Sequence, residues 1–401
     1  MKILQINCVY NTGSTGKLVN EIRNYLISKQ IPNAIFYGNG EKSQEKGVIK
    51  FGYKWGVRIH VRQARYFGMQ YNHSNFATNK LLRKVKSYNP DVVHLHCLNG
   101  YWINIYRLLN YLKKKKIKTV LTLHAEFMHT GNCAHAEECE KWKTGCGQCP
   151  RLREATGSYL FDRTHLAWKK MNEAFKGFGE NIILVSVSDW LKERARLSPI
   201  MDGLKHITIQ NGVDTKIFSY KENAKEKYKK YLDKKLIIHV TPDFNNKIKG
   251  GKYVLELAKH MPEFNFLIVG YRGDYDLPKN VYTISHTNNQ QELAELYSIA
   301  CCTLLTSKRE TFSMVVAESL CCGTPVCAFE AGGPETIAIK EYCDFAPYGN
   351  IDILKEKIEK TTEKVYDKKE ISITAMKKYD STLMCKQYLQ IYNKMNDDKE
   401  N

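Results

Sequence analysis

The chain has 401 residues, of which 43% are hydrophobic and 26% are charged, and its formal net charge is +19. This composition excludes a low-complexity chain, and the length predicts two domains of ordinary size. A uniformly basic, histone-like chain is also excluded, because residues 1–200 hold 32 basic and 14 acidic side chains whereas residues 201–401 hold 29 and 28. The asymmetry predicts two domains that face different partners.

Short apolar runs alternate with segments of helical periodicity along the chain. Strands are predicted over residues 3–9, 92–97, 119–124, 182–187, 206–209, 236–241, 265–269, 281–285, 302–306 and 325–329, and helices over residues 17–29, 103–115, 250–260, 289–300 and 311–321. The alternation predicts parallel, doubly wound α/β sheets, and the number of strands predicts two Rossmann-like domains that join near residues 195–215. Residues 381–395 are predicted to form a closing helix, followed by a frayed tail.

Membrane-spanning and secretory segments are not predicted. No stretch reaches the roughly 20 apolar residues that cross a bilayer, and the apolar run KILQINCV leads into NTGSTG rather than into a cleavage site. We therefore expect a cytoplasmic protein. In that compartment the 13 cysteines are expected to be reduced thiols or metal ligands.

Two strand–helix turns carry candidate anion-binding groups. The first, GSTGK, places Gly13 and Gly16 where backbone N–H groups can approach an anion, although an ordinary turn explains this short pattern equally well. The second, ETFSMVVAE, places Glu310 just before a helix and Glu318 within it. The N–H groups of residues 312–315 are the free donors of that helix and could hold a phosphate.

The run from Glu310 through GTPV to GGPE resembles the E-x7-E signature of retaining glycosyltransferases of family 4, which have the GT-B fold. Further segments match in the expected order, namely VSVSDWL at 185–191, NGVD at 211–214, KG at 249–250 and QELAELY at 291–297. The stretch that begins TLHAEFMHTGNCAH is similar to that of bacterial members that build surface polysaccharides, of the colanic acid, capsule or O-antigen type.

The resemblance implies two Rossmann-like, doubly wound domains that face a cleft. An acceptor domain would span residues 1–198 and carry a cysteine-rich insert at 125–150. A nucleotide-sugar donor domain would span residues 199–380. Residues 381–401 would form the C-terminal helix, which packs back toward the first domain, and the frayed tail.

The resemblance also assigns roles to individual residues. Glu310 would hydrogen-bond the transferred sugar, Glu318 the ribose hydroxyls, and Lys249 would neutralise the diphosphate together with Lys247. The whole donor-binding set is implied to be Gly13, Gly16, Asn211, Lys247, Lys249, Phe312, Ser313, Met314 and Glu318, in which residues 312–314 offer backbone N–H groups. Ser313 stands where the family has a glycine, and Pro242-Asp243-Phe244 stands near a position that often holds an arginine.

The catalytic residues implied are Glu310, His124 and Lys249. His124 matches a cleft histidine that orients the donor sugar or the reacting groups, although a capped histidine at a strand end also explains it. No catalytic metal is expected, because a fixed cation and a helix N-terminus can stabilise a leaving diphosphate. The D-x-D formed by Asp274 and Asp276 is expected to be an ordinary polar turn.

A cysteine cluster lies in the predicted insert. Cys133, Cys139, Cys146 and Cys149 are spaced as C-x5-C-x6-C-x2-C, in a long segment without clear periodicity. A structural zinc ion with four thiolate ligands would order such a segment. Packed thiols or a redox pair explain the spacing equally well.

The basic excess is concentrated in residues 46–90, which hold ten Lys or Arg residues and no Asp or Glu. Lys54, Arg58, Arg62 and Arg65 have helical spacing beside an aromatic and apolar stripe. Such a helix suits an anionic membrane surface, although a solvated charged face also explains it. We expect a peripheral protein on the inner face of the cytoplasmic membrane.

The leading hypothesis is a retaining glycosyltransferase that moves a sugar from a nucleotide-diphosphate sugar to a lipid-linked saccharide or similar acceptor in surface-polysaccharide synthesis. A GT-B sugar-nucleotide epimerase is an alternative, but it lacks this order of motifs. A basic nucleic-acid-binding protein is a second alternative, and it leaves the motifs of the nearly neutral half unexplained. Nucleic acid is therefore not expected as a partner.

Overall fold

The computed structural model describes residues 1–273, 275–285, 287 and 289–397, and its strands form two separate parallel sheets. The chain divides into two units, of which the first comprises Met1–Ile209 and Cys385–Asn401 and the second Gln210–Met384. Asp274 of the predicted D-x-D turn and residues 398–401 of the predicted frayed tail lie outside the described residues.

The first unit is built on a seven-stranded sheet in the order β3-β2-β1-β4-β5-β6-β7. Its strands are β1 (Ile3–Val9), β2 (Asn33–Asn39), β3 (Val48–Lys50), β4 (Val92–Leu95), β5 (Lys118–Leu123), β6 (Ile182–Ser186) and β7 (Lys205–Thr208). Its helices include α1 (Gly13–Ser28), α2 (Lys54–Phe67), α3 (Asn75–Tyr88), α4 (Ile105–Lys114), α5 (Phe127–Thr130), α6 (Thr164–Phe175) and α7 (Asp189–Arg196). The central strands are buried, as strands covered by helices on both faces must be.

The second unit has a six-stranded sheet in the order β10-β9-β8-β11-β12-β13. Its strands are β8 (Lys235–Val240), β9 (Phe264–Val269), β10 (Val281–Ile284), β11 (Cys302–Leu305), β12 (Val326–Phe329) and β13 (Cys343–Ala346). Its helices are α8 (Ala224–Lys227), α9 (Gly251–His260), α10 (Gln290–Ile299), α11 (Met314–Cys321), α12 (Gly333–Ile337), α13 (Ile351–Glu363) and α14 (Lys368–Tyr379). Apolar side chains of β8, β9, α9 and α13 form a common core.

In each sheet the strand order reverses direction at one point, between β1 and β4 in the first and between β8 and β11 in the second. The pairing of β8 with β11 is parallel, with Ile237 opposite Cys302. Ligands of doubly wound sheets bind beyond the carboxyl ends of the strands at such a point. The fold therefore directs attention to the residues that follow these four strands.

The predicted doubly wound α/β class is confirmed, and each of the ten predicted strands is present within a residue or two. The prediction omitted β2, β3 and β13. β3 has only three residues, β13 (CDFA) carries an aspartate, and the apolar centre of β2 is flanked by asparagines. Two helix starts also differ, since α1 begins at Gly13 rather than at residue 17 and α11 begins at Met314 rather than at residue 311.

The last helix, α15 (Ser381–Asp397), belongs to the first unit from Cys385 onward. There the Tyr388 hydroxyl lies 3.0 Å from Oγ1 of Thr122, and the Tyr392 hydroxyl lies 2.6 Å from Nδ1 of His94. Both tyrosine rings are buried. Across the described ranges, no helix combines the length and the apolarity that crossing a bilayer requires.

Candidate active site

The carboxyl ends of β8 and β11 bring a lysine and a glutamate together in the second unit. Nζ of Lys249 donates a 2.7 Å hydrogen bond to Oε1 of Glu310, and the two side chains are 25% and 17% exposed. The Thr306 hydroxyl donates to the Lys249 carbonyl at 2.9 Å, and the Lys308 amide donates to the Ile248 carbonyl at 2.7 Å. These bonds fix the lysine turn against the end of β11.

Gly250, which follows this lysine, permits the close approach. Its φ is +71°, and a Cβ atom built on it would lie 2.1 Å from the carbonyl oxygen of Thr306. Only glycine adopts this conformation without strain and leaves room for that oxygen. The KG pair is therefore a structural requirement of the turn.

The GGPE turn holds the backbone of Glu310. The Glu310 amide donates to the Ala331 carbonyl at 3.0 Å, and the Gly333 amide donates to the Glu310 carbonyl at 2.9 Å. The Glu335 carboxylate accepts the N–H groups of Ala331 and Gly332 at 2.9 Å, although burial raises the pKa of Glu335. The sequence predicted no role for Glu335 of the GGPE motif, and in the structure its carboxylate positions this turn.

Ser313 lies at the N-terminus of α11 in a strained conformation. Its φ is +78°, which costs a residue with a Cβ atom about 1–2 kcal/mol. The residue is buried, and its hydroxyl oxygen has no hydrogen-bond partner in the part of the chain that the structure describes. Ser313 is the N-cap residue of α11, and Met314 is the first residue of the helix. Phe312 precedes the helix, and its ring is buried.

The other predicted donor-binding residues of the second unit differ in burial and in hydrogen bonding. Glu318 lies in the second turn of α11, where Tyr297 donates its hydroxyl to Oε2 of Glu318 at 3.5 Å. Burial raises the pKa of Tyr297, so the phenol keeps its proton. Asn211 is buried, and its Oδ1 lacks a partner among the described residues. Lys247 is exposed at the start of the same turn as Lys249.

In the first unit, Gly13 and Gly16 lie in the first turn of α1. Gly13 has a φ of +62°, and a Cβ atom on Gly16 would lie 3.1 Å from a methyl carbon of Val9. The N-cap residue Thr12 makes no side-chain cap bond, and the first turn holds no acidic residue. The backbone N–H groups of this turn therefore form a positive helix end that no side chain of the turn neutralises.

Three histidines lie side by side across the ends of β4 and β5. The rings of His94 and His96 are 3.7 Å apart, and His124 lies 5.7 Å beyond His96. Burial lowers the pKa of His124 to about 4 and holds the pKa values of His94 and His96 well below the usual range. All three imidazoles are therefore neutral at pH 7.

A buried glutamine sets the tautomer of His124. The Gln5 amide nitrogen donates to the Val19 carbonyl at 3.3 Å, which turns Oε1 toward Nε2 of His96 at 3.1 Å. Since Oε1 can only accept, His96 carries its proton on Nε2 and accepts at Nδ1, 3.4 Å from Nε2 of His124. His124 is thus protonated on Nε2 and unprotonated on Nδ1. Gln5 was not predicted as a site residue, although it and Asn7 are polar residues within the apolar run of β1.

The four predicted cysteines of the insert also lie close together. All line one cavity of about 20 Å³ and are half-buried, and all 13 cysteines of the chain are free thiols. Burial is the main reason that the pKa of Cys146 is raised to about 12, with a further contribution from the other three thiols. Within the described residues, no three His, Cys, Asp or Glu side chains stand in metal-ligating geometry.

Helix α2 presents an unusual outer surface. Only His60 and Ala64 of its 14 residues are buried. The four predicted basic residues are all exposed, namely Lys54, Arg58, Arg62 and Arg65. Large apolar side chains are exposed beside them, among which Trp55 is 60% and Phe76 of the neighbouring α3 is 70% exposed.

Two family profiles match the chain, and the boundary between them lies close to the boundary between the two units. The sequence profile described as Glycosyltransferase Family 4 matches residues 15–217, which is half of the chain, and the profile described as Glycosyl transferases group 1 matches residues 220–378. The chain belongs to glycosyltransferase family 4. The predicted family is therefore confirmed.

A curated relative of this family 4 chain is WcaC of Escherichia coli (strain K12), which is named for colanic acid biosynthesis as a glycosyl transferase. The two are 29% identical over 178 residues, which cover 41% of this chain and 43% of WcaC. The chain thus spans less than half the length of the curated relative that it matches.

Solved structures resemble the family 4 chain over almost its full length. Sucrose-phosphate synthase from Thermosynechococcus elongatus has a TM-score of 0.71 at 16% identity, with 98% of this chain and 99% of that chain covered. HepE of Anabaena, solved in complex with UDP, has a TM-score of 0.63 at 15% identity, with coverage of 98% and 100%. These likenesses show the GT-B fold that the sequence predicted.

Proposed function

We propose that this chain is a retaining glycosyltransferase that moves a sugar from a nucleotide-diphosphate sugar to a lipid-linked saccharide or similar acceptor in bacterial surface-polysaccharide synthesis. The observation that carries the proposal is the grouping of Lys249, Glu310 and the strained Ser313 at the switch point of the second sheet. Membership of family 4 supports the reaction class, and the name of WcaC supports the pathway.

The donor's diphosphate is proposed to bind at the start of α11. Met314 begins that helix, so its first N–H groups have no helical acceptor and attract an anion. The orphaned Ser313 hydroxyl supplies one further hydrogen-bonding group at the same point. A bound phosphate would satisfy that buried hydroxyl, which gives a physical reason for the strained backbone that places it there. The complex of HepE with UDP supports a nucleoside diphosphate as the ligand class.

Lys249 is proposed to bind the diphosphate of the donor, and Glu310 is proposed to bind its sugar. Because their side chains are only 2.7 Å apart, a cation for the diphosphate and an acceptor for sugar hydroxyls stand next to each other. The leaving diphosphate gains charge as the glycosidic bond breaks, and a fixed ammonium group stabilises that charge more in the transition state than in the ground state. Lys247, exposed at the same turn, would add a second cation.

His124 is proposed to contact the sugar as a neutral imidazole. With its proton on Nε2 toward His96, the ring can only accept a hydrogen bond at Nδ1. A charged imidazolium could not accept that hydrogen bond. The arrangement supports an orienting role for His124 rather than proton transfer.

A donor screen tests the proposed reaction. The full chain is incubated with a panel of nucleotide sugars and a crude lipid-linked acceptor fraction, and release of nucleoside diphosphate is measured. We expect release with one donor class and a product whose anomeric proton coupling shows the configuration of the donor. An inverted product would refute retention, and incorporation of label without nucleoside diphosphate release would refute transfer from such a donor.

The acceptor is proposed to be reached at an anionic membrane surface, through the exposed basic and aromatic face of α2. Near such a surface each basic residue contributes about 1 kcal/mol, and exposed Trp and Phe side chains suit the interface. Replacing Arg58, Arg62 and Arg65 with Glu should weaken co-sedimentation with anionic vesicles by about 100-fold or more. The matched control replaces the exposed Lys114, Lys115 and Lys116 with Glu as well. Lys114 is the last residue of α4, and the other two follow it.

Equal loss of vesicle binding in the two triple variants would mean that net charge, and not the α2 surface, attracts the membrane. Unchanged binding in the α2 variant would refute the docking surface altogether.

A further inference from the structure

The segment between α5 and α6, residues 131–163, has little regular structure. Within it the structure has only a 3-10 turn at Lys141–Lys143 and one π-helical turn at Leu152–Thr156. Loops of more than about 15 residues without secondary structure are uncommon in compact domains and call for another source of order. Side-chain packing supplies part of it, since the Arg194 guanidinium lies 5.1 Å from the ring of Trp142, which is itself fully buried.

The four cysteines of this segment converge on one small cavity. Cys133, Cys139, Cys146 and Cys149 all contribute to its wall, although Cys133 and Cys149 are 16 residues apart in sequence. The volume of about 20 Å³ is that of a single water molecule or ion. Four half-buried thiols therefore line one small space, and thiolates are the ligands that soft cations prefer.

The backbone at the C-x2-C pair is bent so that both thiols reach that space. Residues 145–148 all have positive φ, with values of 127°, 56°, 103° and 43°. Two of them, Cys146 and Gln148, are not glycine, and each such residue costs about 1–2 kcal/mol. The Gly147 amide donates to Oγ1 of Thr164 at 3.0 Å, and Nζ of Lys141 donates to the Gln148 carbonyl at 2.7 Å. Such a run of strained residues persists only when its surroundings fix it.

We propose that Cys133, Cys139, Cys146 and Cys149 bind one zinc ion as a structural site. Four cysteine ligands complete the tetrahedral shell that zinc prefers and leave no open position, so the ion orders the insert and does not take part in catalysis. The four side chains do not stand in ligating geometry in the structure, so on this proposal zinc binding draws them together around the cavity. Each thiol gives up its proton as its sulfur binds the ion.

Nearby histidines do not compete for the ion. His129 is fully buried and lies against Glu126, with 3.7 Å between Nε2 and the carboxylate, and its ring contacts Trp142. His129, His135 and His165 are all absent from the wall of the cavity. The cysteines alone therefore make up the proposed ligand set.

Elemental analysis of the full-length protein, expressed with added zinc and purified in a reducing buffer, tests the site. We expect one zinc ion per chain, and we expect Cys146→Ser and Cys149→Ser each to lower the zinc content at least about tenfold. The matched control is Cys301→Ser, a half-buried cysteine of the second unit, which should keep its zinc. Protein that carries no zinc, or equal zinc in all variants, would overturn the proposal.

A second measurement does not depend on whether the variants fold. A strong chelator should lower the thermal midpoint of the wild-type protein by about 5 °C or more, and excess zinc should restore it. Thiol titration of unfolded, chelator-treated protein without reductant should count all 13 cysteines. A count lower by two or four would show disulfides in place of a zinc site, and an unchanged midpoint would show that no ion orders the insert.

Discussion

Replacing Glu310 with glutamine removes one negative charge and keeps the volume of the side chain. In the structure this residue accepts a hydrogen bond from Lys249 at 2.7 Å, and its backbone is held separately by Ala331 and Gly333. The loop should therefore stay in place in the variant. What changes is the interaction with Lys249 and, on the proposed function, with the hydroxyl groups of the transferred sugar.

The structure predicts a small effect on stability and a large one on turnover. The pair is partly solvated, at 25% and 17% exposure, so its loss should cost about 1 kcal/mol, equivalent to about 2–4 °C in the thermal midpoint. A charged hydrogen bond that strengthens in the transition state is worth about 3 kcal/mol. Glu310→Gln should accordingly lower kcat about 100-fold or more.

The assay is release of nucleoside diphosphate at saturating donor, measured beside thermal unfolding of the same samples. Glu341→Gln is the matched control, because Glu341 is an exposed glutamate of the same unit on the turn Lys340–Tyr342. It should keep full turnover. Wild-type kcat in Glu310→Gln would refute the role of the carboxylate, and a loss of activity that tracks unfolding would refute the claim that the effect is chemical.

Three further outcomes follow from particular contacts. Ser313→Ala should raise the free energy of unfolding by about 1 kcal/mol, because it removes a buried hydroxyl without a hydrogen-bond partner among the described residues. The same variant should raise the KM for the donor. A stabilised variant with an unchanged KM would contradict phosphate binding at Ser313. Gly250→Ala should cost at least about 2 kcal/mol in urea unfolding through the clash with Thr306, whereas Gly13→Ala, with open space at its Cβ position, should cost less. Burial lowers the pKa of His239 to about 4. As the pH falls from about 6.5 to 4, this histidine is protonated in the unfolded chain but stays neutral in the folded chain. The free energy of unfolding should therefore fall by up to about 3 kcal/mol. His239→Gln should reduce the slope in that pH range by its own share, because the lowered pKa values of His94, His96 and His124 still contribute. An unchanged slope would contradict the role of His239.

The fold was predictable because its signals are local. Buried parallel strands are apolar on successive residues, and the helices between them have their own period, so the doubly wound class follows from pattern alone. β3 and β13 were missed because their local signals are weak, since β3 has three residues and β13 carries an aspartate among its four. The family motifs likewise lie within single strand–helix turns, where neighbours in sequence are neighbours in space.

The sequence by itself determined the two-part architecture, the family, the placement of the basic excess and the identity of most candidate site residues. The tertiary structure decided which of these side chains meet, because the contacts join residues far apart in sequence. Lys249 meets Glu310 through the pairing of β8 with β11, and Gln5 sets the tautomer of His124 through His96. The backbone strain at Ser313 also depends on the tertiary structure, because the sequence does not specify the positive φ that the packed turn imposes on this residue.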